Sequence, residues 1–257
     1  MDEDKKIKPP RFIGANDCGF RYCEKSTPLS GNLDFLTYGV YEIGAGVSSS
    51  PVCHSKEEAL LFCLDGEVIV AAGGSSFRLS HYDVLYIPMG VSYDLSNVGH
   101  TDAKLIVCRA KAEKSHQLFH GSWEKFSKDE TRIRHLDGKD VYLMFDVGEK
   151  ADRLIAGYTI YKPYTRAYPA HNHTDQEEIY IFTKGKGAME AYKDEKSKTF
   201  VTSVGEMDAV SIPVLNYHPV FSQEEELHFI WCIAGERYWV GDKNKDFMKA
   251  DSDTLTT

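Results

Sequence analysis

Residues 169–185 read PAHNHTDQEEIYIFTKG, and this stretch decides the fold. His171 and His173 are separated by one residue, so on an extended strand both imidazoles face the same side. Glu178 begins an apolar run that can return antiparallel and bring its carboxylate to them. His218 follows a later strand at a turn and offers a third imidazole. These four side chains predict a site for one divalent Mn, Zn, Fe, Co or Ni ion with open coordination positions.

The same stretch belongs to a weak internal repeat. Residues 177–185 align with residues 58–66 at an offset of 119, and residues 208–213 align with residues 83–88 at an offset of 125. Glu177 is the alternative to Glu178 as ligand, but counting back six residues from the glycine that ends the run favours Glu178. Two copies of one β unit in one chain are the simplest interpretation.

Short runs rich in β-branched and aromatic residues, bounded by Gly, Asp, Asn and Pro, recur along the chain. Runs of this kind at regular spacing predict antiparallel sandwiches or barrels. We therefore expect an all-β protein with two tandem β-barrels, one in residues 1–120 and one in residues 121–257. The charged stretch 111–130 is expected to hold a short helix or the connector between the halves.

The N-terminal copy lacks most of the metal-ligand set. Val52, His54, Ala59 and Tyr93 stand where the C-terminal copy has His171, His173, Glu178 and His218. One potential ligand of four cannot hold a metal tightly. The first barrel is therefore expected to be structural, to form an interface or to carry a secondary pocket.

Composition narrows the class of protein. The 257 residues are 42% hydrophobic and carry a formal net charge of −9, which argues against a nucleic-acid partner. No apolar run approaches the roughly 18 residues needed to span a bilayer, and the charged N-terminus is unlike a signal peptide. Six cysteines without a Cys-x-x-Cys pair predict buried, reduced thiols. We expect a cytoplasmic protein with no membrane partner.

The ligand spacing resembles the cupin motifs. His-x-His, four residues, Glu, six residues and Gly form the first motif, and Pro213 with His218 matches the second. Leu215 and Met207 stand where those motifs usually have glycine. The resemblance implies two tandem cupin jelly-roll barrels, a bicupin, with the metal in the C-terminal barrel.

The chain also resembles one bicupin family, the 5-deoxyglucuronate and 5-keto-4-deoxyuronate isomerases of sugar-acid and inositol catabolism. The residues that carry this are 177–180, 216–220 and 229–237, and the likeness extends over about residues 35–250. It implies an enzyme that interconverts aldose and ketose forms of a uronate-type sugar acid, and a homo-oligomer.

The implied chemistry needs further side chains. A metal polarises a carbonyl and its neighbouring hydroxyl, and a base then moves the proton between the two carbons. The candidate catalytic groups are Glu177, Glu190 and a metal-bound hydroxide. Lys162, Arg166 and Arg237 are candidate partners for the substrate carboxylate, with a solvated surface charge as the alternative. Tyr180 and Trp231 are candidate substrate contacts, with core packing as their default role.

Two other functions fit the same fold. Three histidines and one glutamate also serve Fe(II) dioxygenases, whose activity would depend strictly on iron and oxygen. A non-catalytic sugar-binding bicupin would bind uronates without altering them.

Overall fold

The computed structural model describes residues 19–166, 170–194 and 196–235. Within these ranges the helices are short: α1 (Pro28–Gly31), α2 (Trp123–Phe126) and one 3-10 segment (Glu130–Arg132). Strands account for most of the remaining regular structure, so the all-β prediction is confirmed. The helix α2 lies inside the stretch 111–130, where the sequence led us to expect a short helix or a connector.

Ten of the described strands form the N-terminal barrel from two antiparallel sheets. They are β1 (Phe20–Ser26), β2 (Leu36–Ile43), β3 (Val52–Cys53), β4 (Glu57–Asp65), β5 (Val68–Ala72), β6 (Ser75–Leu79), β7 (Val84–Ile87), β8 (Ser92–Asn97), β9 (Ala103–Lys111) and β10 (Phe119–Gly121). The sheet orders are β1-β2-β9-β4-β7-β10 and β3-β8-β5-β6. The strand β10 spans the domain boundary expected after residue 120, and that boundary stays a prediction.

Nine further strands repeat this plan in the C-terminal half. They are β11 (Ile133–Leu136), β12 (Lys139–Phe145), β13 (Ile155–Tyr161), β14 (Gln176–Lys184), β15 (Gly187–Ala191), β16 (Phe200–Val204), β17 (Ala209–Ile212), β18 (Val220–Ser222) and β19 (Leu227–Gly235). The larger sheet has the order β11-β12-β13-β19-β14-β17, and the smaller has β16-β15-β18. In both halves the second-motif strand, β7 or β17, pairs with the strand that follows the first motif, β4 or β14.

Each large sheet buries both of its faces. Along β14, Tyr180 and Phe182 face the interior of the C-terminal barrel, whereas Ile179 and Ile181 face the opposite side. The opposite side packs against the large sheet of the first barrel, so the two barrels share a core that includes Phe62 of β4. Full burial of one such side chain stabilises the fold by about 1.5–3 kcal/mol. This shared core explains why the strands read as continuous apolar runs.

Two carboxylates link the barrels reciprocally. Glu177 accepts hydrogen bonds from the backbone N–H groups of residues 34–36, at 2.5, 2.7 and 2.6 Å. Glu58, its counterpart in the repeat, accepts from the N–H groups of residues 152–154, at 2.8, 2.7 and 2.8 Å. Each barrel therefore anchors a loop of the other, and we call this pair of contacts the glutamate clasp.

Candidate metal centre

Three imidazoles and one carboxylate meet inside the C-terminal barrel. One ligand atom from each of His171, His173 and His218 lies within 4.8 Å of the other two. The Nε2 atoms of His173 and His218 approach the same carboxylate oxygen, Oε2 of Glu178, at 3.2 and 3.1 Å. His173, Glu178 and His218 are buried, and His171 is half-buried. The structure thus brings together all four side chains that the sequence predicted as ligands.

The local chain fixes these side chains from two directions. Glu178 lies near the start of β14, directly after the segment that carries the two neighbouring histidines. The Leu215 N–H donates to the carbonyl of His173 at 2.6 Å, which ties the second motif to the first. The Asn216 side-chain amide donates to the carbonyls of Pro213 and Val214 at 3.1 and 3.0 Å and closes the turn before His218.

Leu215 and Met207, which replace the usual glycines of the motif, adopt a backbone conformation that favours glycine. Their φ angles are +64° and +63°, in the left-handed region. That conformation costs a residue with a Cβ about 1–2 kcal/mol. The turns of the usual motif therefore persist here without the usual glycines, because surrounding hydrogen bonds hold them.

The arrangement of these groups fits a divalent cation. The His218 Nδ1–H donates to the carbonyl of Asn216 at 2.9 Å, which directs Nε2 towards the carboxylate of Glu178. Burial raises the pKa of Glu178, but the neighbouring imidazoles outweigh burial, and the net pKa is lowered. An ionised carboxylate oxygen and the lone pair of a neutral imidazole at 3.1 Å repel each other unless a proton or a metal cation lies between them. The donor set, nitrogen and oxygen, suits the first-row divalent metals.

A small cavity of about 70 Å³ opens beside this cluster. Three of the candidate ligands, His171, His173 and Glu178, line it. It is also lined by Tyr180 and Trp231, the two candidate contacts from the sequence, and by Arg134, Lys139 and Tyr161. The residues that line it come from the inward faces of β11, β12, β13, β14 and β19 and from the segment before β14.

Two half-buried cations and one buried indole N–H lie in this wall. Burial lowers the pKa of Lys139 to about 8, while Glu178 acts in the opposite direction, so the ammonium remains mainly charged at neutral pH. Burial also lowers the pKa of Arg134, against the pull of Asp146. Trp231 is 5% exposed, and its Nε1–H has no hydrogen-bond partner among the described residues. A buried donor without a partner is costly, which indicates a place for a polar ligand.

Comparison with known proteins places this architecture in a family. The model of the KduI/IolB family matches residues 15–250. The chain belongs to the KduI/IolB family. A 4-deoxy-L-threo-5-hexosulose-uronate ketol-isomerase of Bacillus pumilus is 25% identical over 208 residues, which are 76% of this chain and 73% of that protein.

Solved structures confirm the bicupin fold of this KduI/IolB family member. An IolB-like protein from Salmonella typhimurium has a TM-score of 0.71 at 18% identity, covering 89% of this chain and 94% of that one. An oxalate decarboxylase from Bacillus subtilis has a TM-score of 0.72 at 14% identity, covering 98% of this chain and 85% of that one. In the described ranges, no helix is long and apolar enough to cross a membrane.

The candidate bases from the sequence lie outside the cavity. Glu177 points away from it, because adjacent strand residues face opposite sides, and its carboxylate belongs to the glutamate clasp. The Glu190 carboxylate is paired with the Lys198 ammonium at 2.8 Å and does not line the cavity. The proposal of Glu177 and Glu190 as catalytic bases is therefore corrected.

The candidate partners for the substrate carboxylate that the structure describes also lie outside the cavity. Lys162 and Arg166 are exposed beyond the end of β13 and do not line the cavity; the Arg166 guanidinium lies over the Phe221 ring, 4.9 Å from its centroid. Arg237 is outside the described residues. The cavity has Arg134 and Lys139 instead, which no motif marks. The alternation of inward- and outward-facing residues along the β11–β12 hairpin could have identified Arg134 and Lys139 as inward-facing.

The corresponding place in the N-terminal barrel holds a guanidinium. Arg109 pairs in register with Ala59, the counterpart of Glu178. It donates to Glu57 at 2.5 Å, to Glu24 at 3.0 Å and to Nδ1 of His54 at 3.1 Å. Burial and this cation lower the pKa of His54 to about 4, so the ring is neutral at pH 7. A fixed positive charge beside the one remaining potential ligand disfavours a metal ion.

Proposed function

We propose that this KduI/IolB family member is a metal-dependent isomerase that interconverts aldose and ketose forms of a uronate-type sugar acid. The observation that carries the proposal is the convergence of two imidazole nitrogens on one Glu178 oxygen, at 3.2 and 3.1 Å, in the wall of a cavity. The ketol-isomerase relative from Bacillus pumilus supports the reaction class.

His171, His173, Glu178 and His218 would hold one divalent ion of Mn, Zn, Fe, Co or Ni. When bound, such an ion supplies Lewis acidity to a carbonyl and an adjacent hydroxyl oxygen. The exposed edge of His171 leaves the cavity side of the cluster accessible to a ligand. The glutamate contributes a negative charge that three neutral imidazoles lack.

The other side chains of the cavity would bind and orient the substrate. Burial raises the pKa of Tyr161, so its hydroxyl keeps its proton and can donate it in a hydrogen bond. Tyr180 packs against His218, with ring centroids 5.6 Å apart, and limits movement of that imidazole. Phe229 and Trp231 cover the barrel side of the cavity and exclude water from it.

The test combines elemental analysis with NMR. Purified protein should contain about one divalent metal ion per chain, and the metal-loaded protein should convert a uronate or deoxy-keto sugar acid between aldose and ketose forms without oxygen. Conversion that requires both Fe(II) and oxygen would assign a dioxygenase instead. Binding of the sugar acids without conversion by metal-loaded protein would assign a sugar-binding role. Homo-oligomerisation stays a prediction, which the molar mass in solution would test.

A further inference from the structure

Two cationic side chains lie together in the cavity wall, away from every sequence motif. Arg134 pairs with Val141 across the β11–β12 hairpin, and Lys139 lies two residues before Val141 on the same face. Such diagonal neighbours are about 7–8 Å apart at Cα, within reach of long side chains. Both side chains line the cavity that the metal-ligand cluster also lines.

The Lys139 ammonium contacts neutral groups directly, and the charge of Glu178 acts on it from a greater distance. Its ammonium lies 3.4 Å from the Tyr161 hydroxyl and 5.3 Å from the centre of that ring. Among the described residues that line the cavity, the carboxylate is that of Glu178, which the imidazoles engage. A half-buried cation in contact with a neutral hydroxyl and a ring is stabilised by an anionic ligand.

The same sheet supplies a second polar feature on β19, two strands away from β12. The Nε1–H of Trp231, a residue 5% exposed, has no partner among the described residues. Gly157 pairs with Trp231 in the register of β13 and β19. The absence of a side chain at Gly157 leaves room for the indole, because a Cβ there would lie 2.3 Å from the ring. The cavity thus has two cationic side chains, a hydrogen-bond donor and a candidate metal-ligand cluster in its wall.

We propose that Lys139, assisted by Arg134, binds the carboxylate of the sugar acid and so determines the preference for acids over neutral sugars. The inference deepens the proposed function and rests on it for the identity of the ligand class. The bound carboxylate holds one end of the chain of carbons at the β11–β12 hairpin. The opposite end of the molecule then faces His171 and its neighbours.

Calorimetric titration of metal-loaded protein with D-glucuronate and with D-glucose tests this directly. The wild type should bind glucuronate more tightly than glucose. Lys139→Met should weaken glucuronate binding about 10- to 100-fold, the effect of losing one charge-assisted hydrogen bond, and leave glucose binding unchanged. Arg134→Met should show the same pattern with a smaller effect, and Lys139→Arg should retain most of the binding.

Lys162→Met is the matched control, because Lys162 is exposed outside the cavity. It should bind glucuronate like the wild type. Metal content and thermal midpoint, measured for each variant, separate loss of the anion contact from loss of the fold. No preference of the wild type for glucuronate, or equal loss of both sugars in Lys139→Met and Arg134→Met, would overturn the inference.

Failure of the proposed function has a different signature. Tight, Lys139-dependent binding of glucuronate without NMR conversion of any sugar acid would refute the isomerase and keep the carboxylate site. Conversion of sugar acids by Lys139→Met with wild-type affinity would refute the carboxylate site and keep the isomerase.

Discussion

Glu177→Gln should lower the free energy of unfolding by about 1–3 kcal/mol and leave the metal content unchanged. In the wild type one carboxylate oxygen accepts from the N–H groups of residues 35 and 36, and the other accepts from the N–H of residue 34. The glutamine keeps a single acceptor oxygen, so one N–H faces an amide N–H₂ and loses its partner. An unsatisfied donor of this kind costs about 1–3 kcal/mol.

The size of the effect can be read as a melting temperature. For a chain of 150–250 ordered residues, 1 kcal/mol corresponds to about 2–4 °C, so the midpoint should fall by roughly 2–12 °C. The assay is thermal unfolding of metal-loaded protein, with elemental analysis of the same samples. Burial raises the pKa of Glu177, which means that burying its charge is unfavourable. Because glutamine is uncharged, the substitution removes this cost, and the fall in the midpoint should lie in the lower half of this range.

Two matched variants serve as controls for this prediction. Glu58→Gln removes the equivalent contact of the glutamate clasp and should give a similar loss of stability with metal retained. Glu178→Gln, one residue along the same strand, should instead lose most of its metal. If Glu177→Gln keeps the wild-type midpoint but loses its activity, the assignment of Glu177 to the clasp is refuted.

Three further predictions concern other residues. His218→Ala should reduce bound metal far below one ion per chain by elemental analysis, whereas His54→Ala should retain it; stoichiometric metal in the double variant His171→Ala/His173→Ala would disprove the ligand set. The folded pKa of His54 is about 4 against 6.5 for a free imidazole, so the unfolded chain binds a proton between these values that the folded chain does not. The free energy of unfolding should therefore fall as the pH is lowered through this window, and His54→Gln should flatten that urea-denaturation profile. Leu215, 47% exposed and at φ +64°, should tolerate glycine: Leu215→Gly should exceed Leu215→Ala in stability by about 1 kcal/mol, and equal urea midpoints would contradict the backbone argument.

Periodicity and spacing were enough to predict the architecture and the convergence of the four candidate metal ligands. The two-residue period places His171 and His173 on one side, and the repeat revealed a second barrel whose ligands are missing. These signals are local in sequence, because a strand sets side-chain direction over a few residues. The comparisons confirm the fold and the family.

The rest of the cavity depends on long-range pairing, which spacing does not encode. Lys139 reaches the cavity because β12 pairs with β13, which pairs with β19. Lys162 and Arg166 are nearer in sequence to the ligands yet lie past the end of β13. Glu177 is of a residue type that can act as a base. Because neighbouring strand residues face opposite sides, however, its side chain points to the first barrel while that of Glu178 points into the cavity. Proximity in sequence was the misleading guide in each case.

The core shared by the barrels has a consequence for synthesis on the ribosome. The first barrel is complete once β10 has formed, but the face of its large sheet that carries Phe62 is covered only by strands that end with β19. At about 5–20 residues per second, the roughly 110 intervening residues take on the order of 6–20 s to emerge. During that interval a nascent chain exposes an apolar β-sheet face. We expect chaperones that bind such faces to associate with this chain after the first half has emerged and to leave once the second barrel docks.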